Sequence, residues 1–243
     1  MTDEKSNSLD ILGVKPIADS VSKATTATLD GASAFLSRIC LPAAEEFGLL
    51  LQDKVRAWRA NNALKVVAIA QERLPNTKDE LHAHPRLVSS VIEHGSWSDE
   101  TDLQDMWGGL LASSCTKDGR DDSNVIFVHL LSHLTGLQAR VLNYSCEKCV
   151  KEANAQGLIA AKDPLYIEME LLKSIAMSDD IHRIDRELDN LRGLELINTG
   201  IEFNGGRAEI SPTALALNLY VRSHGSNAST TEFFGVKAAA QPA

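Results

Sequence analysis

The sequence predicts a mainly α fold: a multi-helical bundle followed by a smaller C-terminal α+β unit with one β-hairpin. Three observations predict it. Aromatics are sparse at 5% while the apolar fraction is an ordinary 44%, and Ala, Leu and Ser dominate. Apolar residues recur at helical spacing through most of the first 177 positions. Near the C-terminus, two short alternating runs flank an Asn-Gly turn, the strongest short-range hairpin signal.

Composition bounds the function. A net charge of −9 argues against a domain devoted to gripping phosphate backbones, which usually carries a basic face. The four cysteines stand at irregular positions behind an N-terminus without a secretory signal pattern, and read as reduced thiols of a cytoplasmic protein. No window approaches the length of uncharged apolar chain that spans a bilayer, so no membrane span is expected.

Residues 1–20 read as a flexible polar arm, with Leu9 to Val14 as its only apolar piece before Pro16. The helical domain is placed at 21–177. Its first helix runs to Cys40 with Phe35, Leu36 and Ile39 on one face. A long helix follows from Pro42 to Leu74, in which Leu50, Leu51, Val55, Trp58, Leu64, Val67 and Leu74 keep the period. Lys54, Arg56, Arg59, Lys65 and Arg73 face only Asp53 and Glu72 over its second half. These five cations are the interaction candidates: a solvated helix face is the bland reading, a docking surface for an acidic partner or nucleic acid the sharper one. Asp79 to Gly95 predicts a shorter helix with Leu87, Val88, Val91 and Ile92 inward.

Ser98 to Cys115 predicts the central helix. Leu103, Met106, Trp107, Leu110 and Leu111 share one stripe, Ser98 offers an N-cap, and Asp99, Glu100 and Asp102 suit the positive end of the helix dipole. Gly108, Gly109 and Ala112 keep its second half thin, which costs helix propensity unless another helix packs close. Thr116 to Asn124 is a charged loop. Helical period resumes over Val125–His133 and Leu137–Ala155, until Gly157, Asp163 and Pro164 break it.

A second unit is placed at 178–224. Ile181, Ile184, Leu188, Leu191 and Leu194 make an amphipathic helix capped by Ser178 or Asp179 and ending near Gly193. Ile201–Phe203 and Arg207–Ile210 flank the Asn-Gly turn, and Ser211-Pro212-Thr213 caps a helix from Ala214 to Arg222. This layout is winged-helix-like, with the hairpin as the wing. Its recognition helix is acidic, however: Asp179, Asp180, Asp185, Glu187 and Asp189 outnumber Arg183, Arg186 and Arg192, and would repel phosphates. A structural or protein-binding role is therefore preferred to DNA binding. Residues 225–243 read as a disordered tail in which Phe233-Phe234 is the one sticky point.

Cys146-Glu-Lys-Cys149 has the spacing of zinc and redox sites, and His129 and His133 stand one helical turn apart before it. Without a Gly/Pro knuckle the four are read as packed or half-exposed thiols and surface imidazoles. Glu100/Asp102/Asp105 and Asp118/Asp121/Asp122 are better explained by capping and a solvated loop than by a metal. His82, His84 and His94 near Arg86 miss the short Arg-to-His spacing of helical ribonuclease toxins. No catalytic, cofactor-binding or metal-ligating set is assigned.

Two blocks carry a resemblance. LPAAEEFGLLLQDKVRAWRANNALKV (Leu41 to Val66) and DETDLQDMWGGLLASS (Asp99 to Ser114) resemble the abortive infection alpha (Abi-alpha) family of bacterial proteins. There a proline-led helix ending in a K-V-R-x-W-R run precedes an E-x-L-Q-D-x-W helix. Leu131-Ser-His-Leu134, Gln138-Ala-Arg-Val-Leu142 and the stretch Gly193 to Ala214 approximate its later segments, while Gly108-Gly109 departs from the usual run. The resemblance implies phage defence, with growth arrest of infected cells, and brings no catalytic residues with it. The expectation is a defence component that acts on a protein partner, from the defence system or the phage, with self-association open to it. The alternatives are a nucleic-acid-associated regulator using the winged-helix unit or the basic helix 54–73, and a zinc-dependent toxin enzyme.

Overall fold

The thin half of the predicted central helix is where the first structural unit is tightest. The computed structural model describes residues 23–39, 54–74, 81–202 and 206–237, and divides into two units, Met1–Ser132 and His133–Ala243. The polar arm at 1–20, the first part of the helix expected from Pro42 and the hairpin tip at 203–205 lie outside the described residues. The chain is mainly α with small antiparallel sheets.

In the first unit, α1 is Lys23–Ile39 and α2 is Lys54–Arg73. The short strand β1, His82–Ala83, precedes α3, Pro85–Gly95; α4 is Thr101–Ser113, β2 is Cys115–Thr116 and α5 is Val125–Ser132. α2 offers a face of small and β-branched residues, with Ala60, Ala63, Val66, Val67 and Ala70 buried. α4 answers with the expected stripe, Leu103, Met106, Trp107, Leu110 and Leu111, all buried. Small side chains on both helices let their backbones approach. Phe35, Leu36 and Ile39 of α1 and Leu87, Val88, Val91 and Ile92 of α3 complete this core.

Two local expectations are corrected here. The helix expected from Asp79 starts only at Pro85. Proline has no N–H to lose at the first helical position and pushes the preceding residue into extended geometry. His84 accordingly sits at φ −61°, ψ 129°, and its Nδ1 accepts the Arg86 N–H at 3.3 Å. The chain before it is extended, and β1 pairs antiparallel with β2, His82 opposite Thr116 and Ala83 opposite Cys115. Ser98 does not cap α4 either. Its N–H still belongs to the turn leaving α3, bonded to the Gly95 carbonyl at 3.2 Å, and Glu100 takes the N-cap position.

The second unit opens with α6, Gly136–Lys148, started by a reciprocal capping box between Thr135 and Gln138. The helix expected to reach Ala155 stops at Lys148. Lys151–Ala153 (β3) turns back on Ile159–Ala161 (β4) with Glu152 opposite Ala160. Asn154 makes that turn, its Oδ1 accepting the N–H of Gln156 at 3.0 Å and of Leu158 at 2.9 Å, while Gly157 supplies φ +78°.

β5, Tyr166–Glu168, leads into α7, Met169–Ala176, and α8, Ile181–Gly193. The hairpin strands follow, β6 as Gly200–Ile201 and β7 as Arg207–Glu209. The sheet order is β5-β7-β6, so the expected hairpin gains a third strand from ahead of α7, with Ile167 opposite Ala208. The α8 cap is Asp180, whose carboxylate accepts the Arg183 N–H at 3.0 Å, in place of the expected Ser178 or Asp179. α9, Ala214–Ser223, is capped by Thr213, the last residue of the expected Ser211-Pro212-Thr213 cap. A further short helix, α10 at Thr230–Phe233, brings Phe233 and Phe234 onto the Tyr220 ring, with centroids 6.2 and 5.8 Å away.

Candidate interaction surface

The five candidate cations of α2 have different fates. Arg59 is held from three sides. Its Nη2 meets Glu93 Oε2 at 2.6 Å, its Nε donates to Ser96 Oγ at 3.0 Å, and its guanidinium lies 4.2 Å from the centre of the Trp97 ring. Arg73 pairs with the Asp105 carboxylate and donates to the Asp105 backbone carbonyl at 3.0 Å. Both therefore brace α2 against its neighbours. Arg56 and Lys65 are exposed. Lys54 opens the helix, and its side chain lies outside what is described.

The Arg59 clamp organises an aromatic surface that charge counting had missed. Of the three tryptophans, Trp107 is 2% exposed, whereas Trp58 and Trp97 are 39% and 53% exposed. The two outer indoles face each other with centroids 6.3 Å apart and planes at 57°. Trp97 Nε1 donates to Glu93 Oε1 at 3.2 Å, so one carboxylate fixes both Arg59 and Trp97. Burial alone would raise the Glu93 pKa, but the bonds from Arg59 and Trp97 and the charges of Arg59 and His94 outweigh it and hold the carboxyl below its ordinary value. Val55, one turn before Arg59, is also exposed. The one available signal was Trp97 itself, a large aromatic between helices and off any apolar stripe.

Behind this surface runs a buried polar chain. Asn62 Nδ2 donates to the Ser96 carbonyl at 3.1 Å, and Gln104 Nε2 donates to Asn62 Oδ1 at 3.3 Å and to the Ser98 carbonyl at 2.8 Å. It ties α2, the end of α3 and the start of α4 together beneath the two indoles.

The other candidate constellations dissolve into structure. His129 and His133 are exposed whereas Cys146 and Cys149 are buried. Among the described residues no group of three or more His, Cys, Asp or Glu side chains could hold a metal ion. Cys146 Sγ lies 3.7 Å from the Ala216 carbonyl in the α6–α9 contact. Asp118 and Asp121 take backbone N–H groups of Arg120 and Ser123 in Asx turns, and Asp122 meets Arg86 at 3.4 Å. His94 stacks on Trp107 with centroids 6.2 Å apart.

On α8, Ile184, Leu188 and Leu191 point inward, and Glu187 Oε2 accepts the Thr135 hydroxyl at 2.8 Å. Arg192 bonds Asp189 at 2.7 Å and Arg183 lies 3.8 Å from Glu187. Much of its charge is thus matched within the helix.

The fold and this surface define a mainly helical protein whose exposed chemistry is aromatic and ion-paired. Comparison with known families gives it a place. The family model described as Abortive infection alpha matches residues 57–221, most of the chain, and the protein belongs to that family. The match begins inside α2, so the Leu41–Arg56 part of the first resembling block falls outside it. The family's name associates the chain with abortive infection, the context of phage defence. No curated protein and no solved structure matches. Among the described residues no helix is long and apolar enough to cross a membrane.

Proposed function

We propose that this protein is an antiphage defence component that acts through protein–protein contact in the bacterial cytoplasm. The contact is made by the Trp58–Trp97–Arg59 surface. The C-terminal stretch 178–224, read as winged-helix-like from its helix, hairpin and last helix, serves as scaffold or partner reader. The observation that carries this is the exposed indole pair fixed by Arg59 and Glu93. Trp and Arg are the residues most often found at energetic centres of interfaces, and rigid ones lose little entropy on binding. The partner it fits is a protein offering an apolar recess for the two indoles.

The nucleic-acid reading has less support, because Arg59 and Arg73 are engaged in ion pairs and α8 is rich in acids. The zinc-enzyme reading would need buried thiols and exposed imidazoles to meet. Phage plaque counts test the proposal in cells carrying the wild type, Trp58→Ala or Trp58→Ala with Trp97→Ala. Loss of protection is expected while the purified variants melt like the wild type. Full protection by the double variant, or nucleic-acid cleavage by the purified protein alone, would sink it.

A further inference from the structure

The outward face of α8 has a self-complementary order of charge. Its inner face is fixed by Ile184, Leu188 and Leu191 and by the Glu187 and Asn190 bonds to Thr135 and Gln138. Beside Arg183, which leans to Glu187, the ionisable side chains left exposed are His182, Asp185, Arg186, Asp189 and Arg192, preceded by Asp179 just ahead of the Asp180 cap. Two copies of one helix related by a two-fold axis perpendicular to it run antiparallel, each residue i facing a residue j of constant sum. With the axis between Asp185 and Arg186, Asp185 faces Arg186 of the other copy and His182 faces Asp189, while Asp179, on the lead-in ahead of the helix, falls at the Arg192 end. The central pairs then set aspartate against arginine and the next set an imidazole against an aspartate, and the symmetry makes each twice. Moving the axis half a residue either way sets Asp185 against Asp185 or Arg186 against Arg186. One antiparallel register is thus favoured and its neighbours are penalised by like charge.

We propose that the α8 face binds a second copy of this chain through this antiparallel charge seam. The same acids that would repel a phosphate backbone are what the arginines of the second copy match. Arg192, with five N–H donors, holds its own Asp189 while reaching the other copy's Asp179. The seam is one short, charged helix, so the dimer is weak and salt-sensitive, a reversible association set by local concentration.

Sedimentation velocity of the full chain tests this by a charge swap that leaves the net charge as it is. In low salt a concentration-dependent dimer is expected, its association weakened roughly tenfold or more at about 0.5 M salt, where exposed charges are screened. Asp185→Arg alone and Arg186→Asp alone each set like charges together and should weaken it by roughly tenfold. The double swap, Asp185→Arg with Arg186→Asp, should regain it. The two single variants, mixed, should pair with each other better than either does with itself. A protein that stays monomeric in low salt, or single variants that dimerise like the wild type, would overturn the proposal and leave this face to a different partner. So would a double swap that fails to recover.

Discussion

Gly108 sits against Ile69 so closely that a Cβ on the glycine would lie 2.5 Å from Ile69 Cβ and 3.0 Å from the Val66 carbonyl oxygen. Real carbon atoms do not approach so near, so any side chain at 108 must push α2 away from α4. Gly108→Ala is expected to destabilise the protein by about 1–3 kcal/mol through overpacking, against the ~1 kcal/mol that alanine gains over glycine in an open helix. Gly193 is the control, because a Cβ added there would meet nothing within 4 Å, and Gly193→Ala should be neutral to stabilising by ~0.4–1 kcal/mol. Urea unfolding of the two variants decides: equal effects would place the close approach elsewhere.

The buried polar chain should show strong coupling. Gln104→Leu leaves Asn62 Oδ1 without its donor, and Asn62→Leu leaves the Ser96 carbonyl without its own. Each should cost about 1–3 kcal/mol, the penalty of a buried group left unpaired. The double variant should cost less than the sum, because it removes both ends of one bond. Additive losses in a double-mutant cycle would mean that the bond contributes nothing of its own.

Glu93 gives stability a particular pH dependence. Its folded-state pKa lies below the ordinary value, so its contribution is complete above the range where an unfolded glutamate titrates. That contribution is lost as pH falls through the folded value. Glu93→Gln should be less stable than the wild type at neutral pH, with the difference shrinking in acid. Because the carboxylate is partly exposed, the effect is modest and declines with salt. Unfolding curves from neutral pH into the acid range measure it, and a constant gap would contradict it.

The thiols should be silent in the native state. Burial pushes Cys115 up to about 12, with only the charge of Arg38 opposing. Burial also raises Cys146, assisted by Cys149 and Glu147 against Lys151, and raises Cys149 itself. In a Cys40→Ser protein, a thiol reagent at mildly alkaline pH should react slowly until denaturant is added, then titrate Cys115, Cys146 and Cys149. Above the ordinary thiol range the unfolded chain ionises first, so stability should fall with rising pH. Rapid native labelling of Cys146 would show that α6 and α9 part readily.

What the sequence made legible was periodicity. The α4 stripe, the inward faces of α3 and α8, the Thr213 cap and the pairing of β6 with β7 all follow from spacing of three to four or two, and from turn residues. What it hid came from pairing at a distance. β1 and β2 are only two residues each, too short to alternate, and exist because the fold sets two distant chain segments side by side. β3 carries helix-compatible residues and becomes a strand because Asn154 and Gly157 turn the chain onto Ile159. The surface is hidden in the sequence for a similar reason. Arg59 and Arg73 look like free cations in a linear charge count, and only the fold brings them to Glu93 and Asp105. Trp58 and Trp97 lie 39 positions apart, and nothing local announces that they meet.

The third strand of the β5-β7-β6 sheet bears on how the second unit is made. Tyr166–Glu168 must wait for Arg207–Glu209, with two helices and a hairpin strand synthesised in between. Until β7 leaves the ribosome, β5 has an unsatisfied edge, and the non-local pairing makes this the slow event in the unit's folding. A fragment begun at Ser178 would keep the hairpin and α8 but discard the strand that β7 pairs with and the Gln138 of α6 that holds Glu187 and Asn190. Such a fragment should aggregate. The shortest autonomous piece must begin ahead of Thr135, where the capping box starts the first helix this sheet depends on.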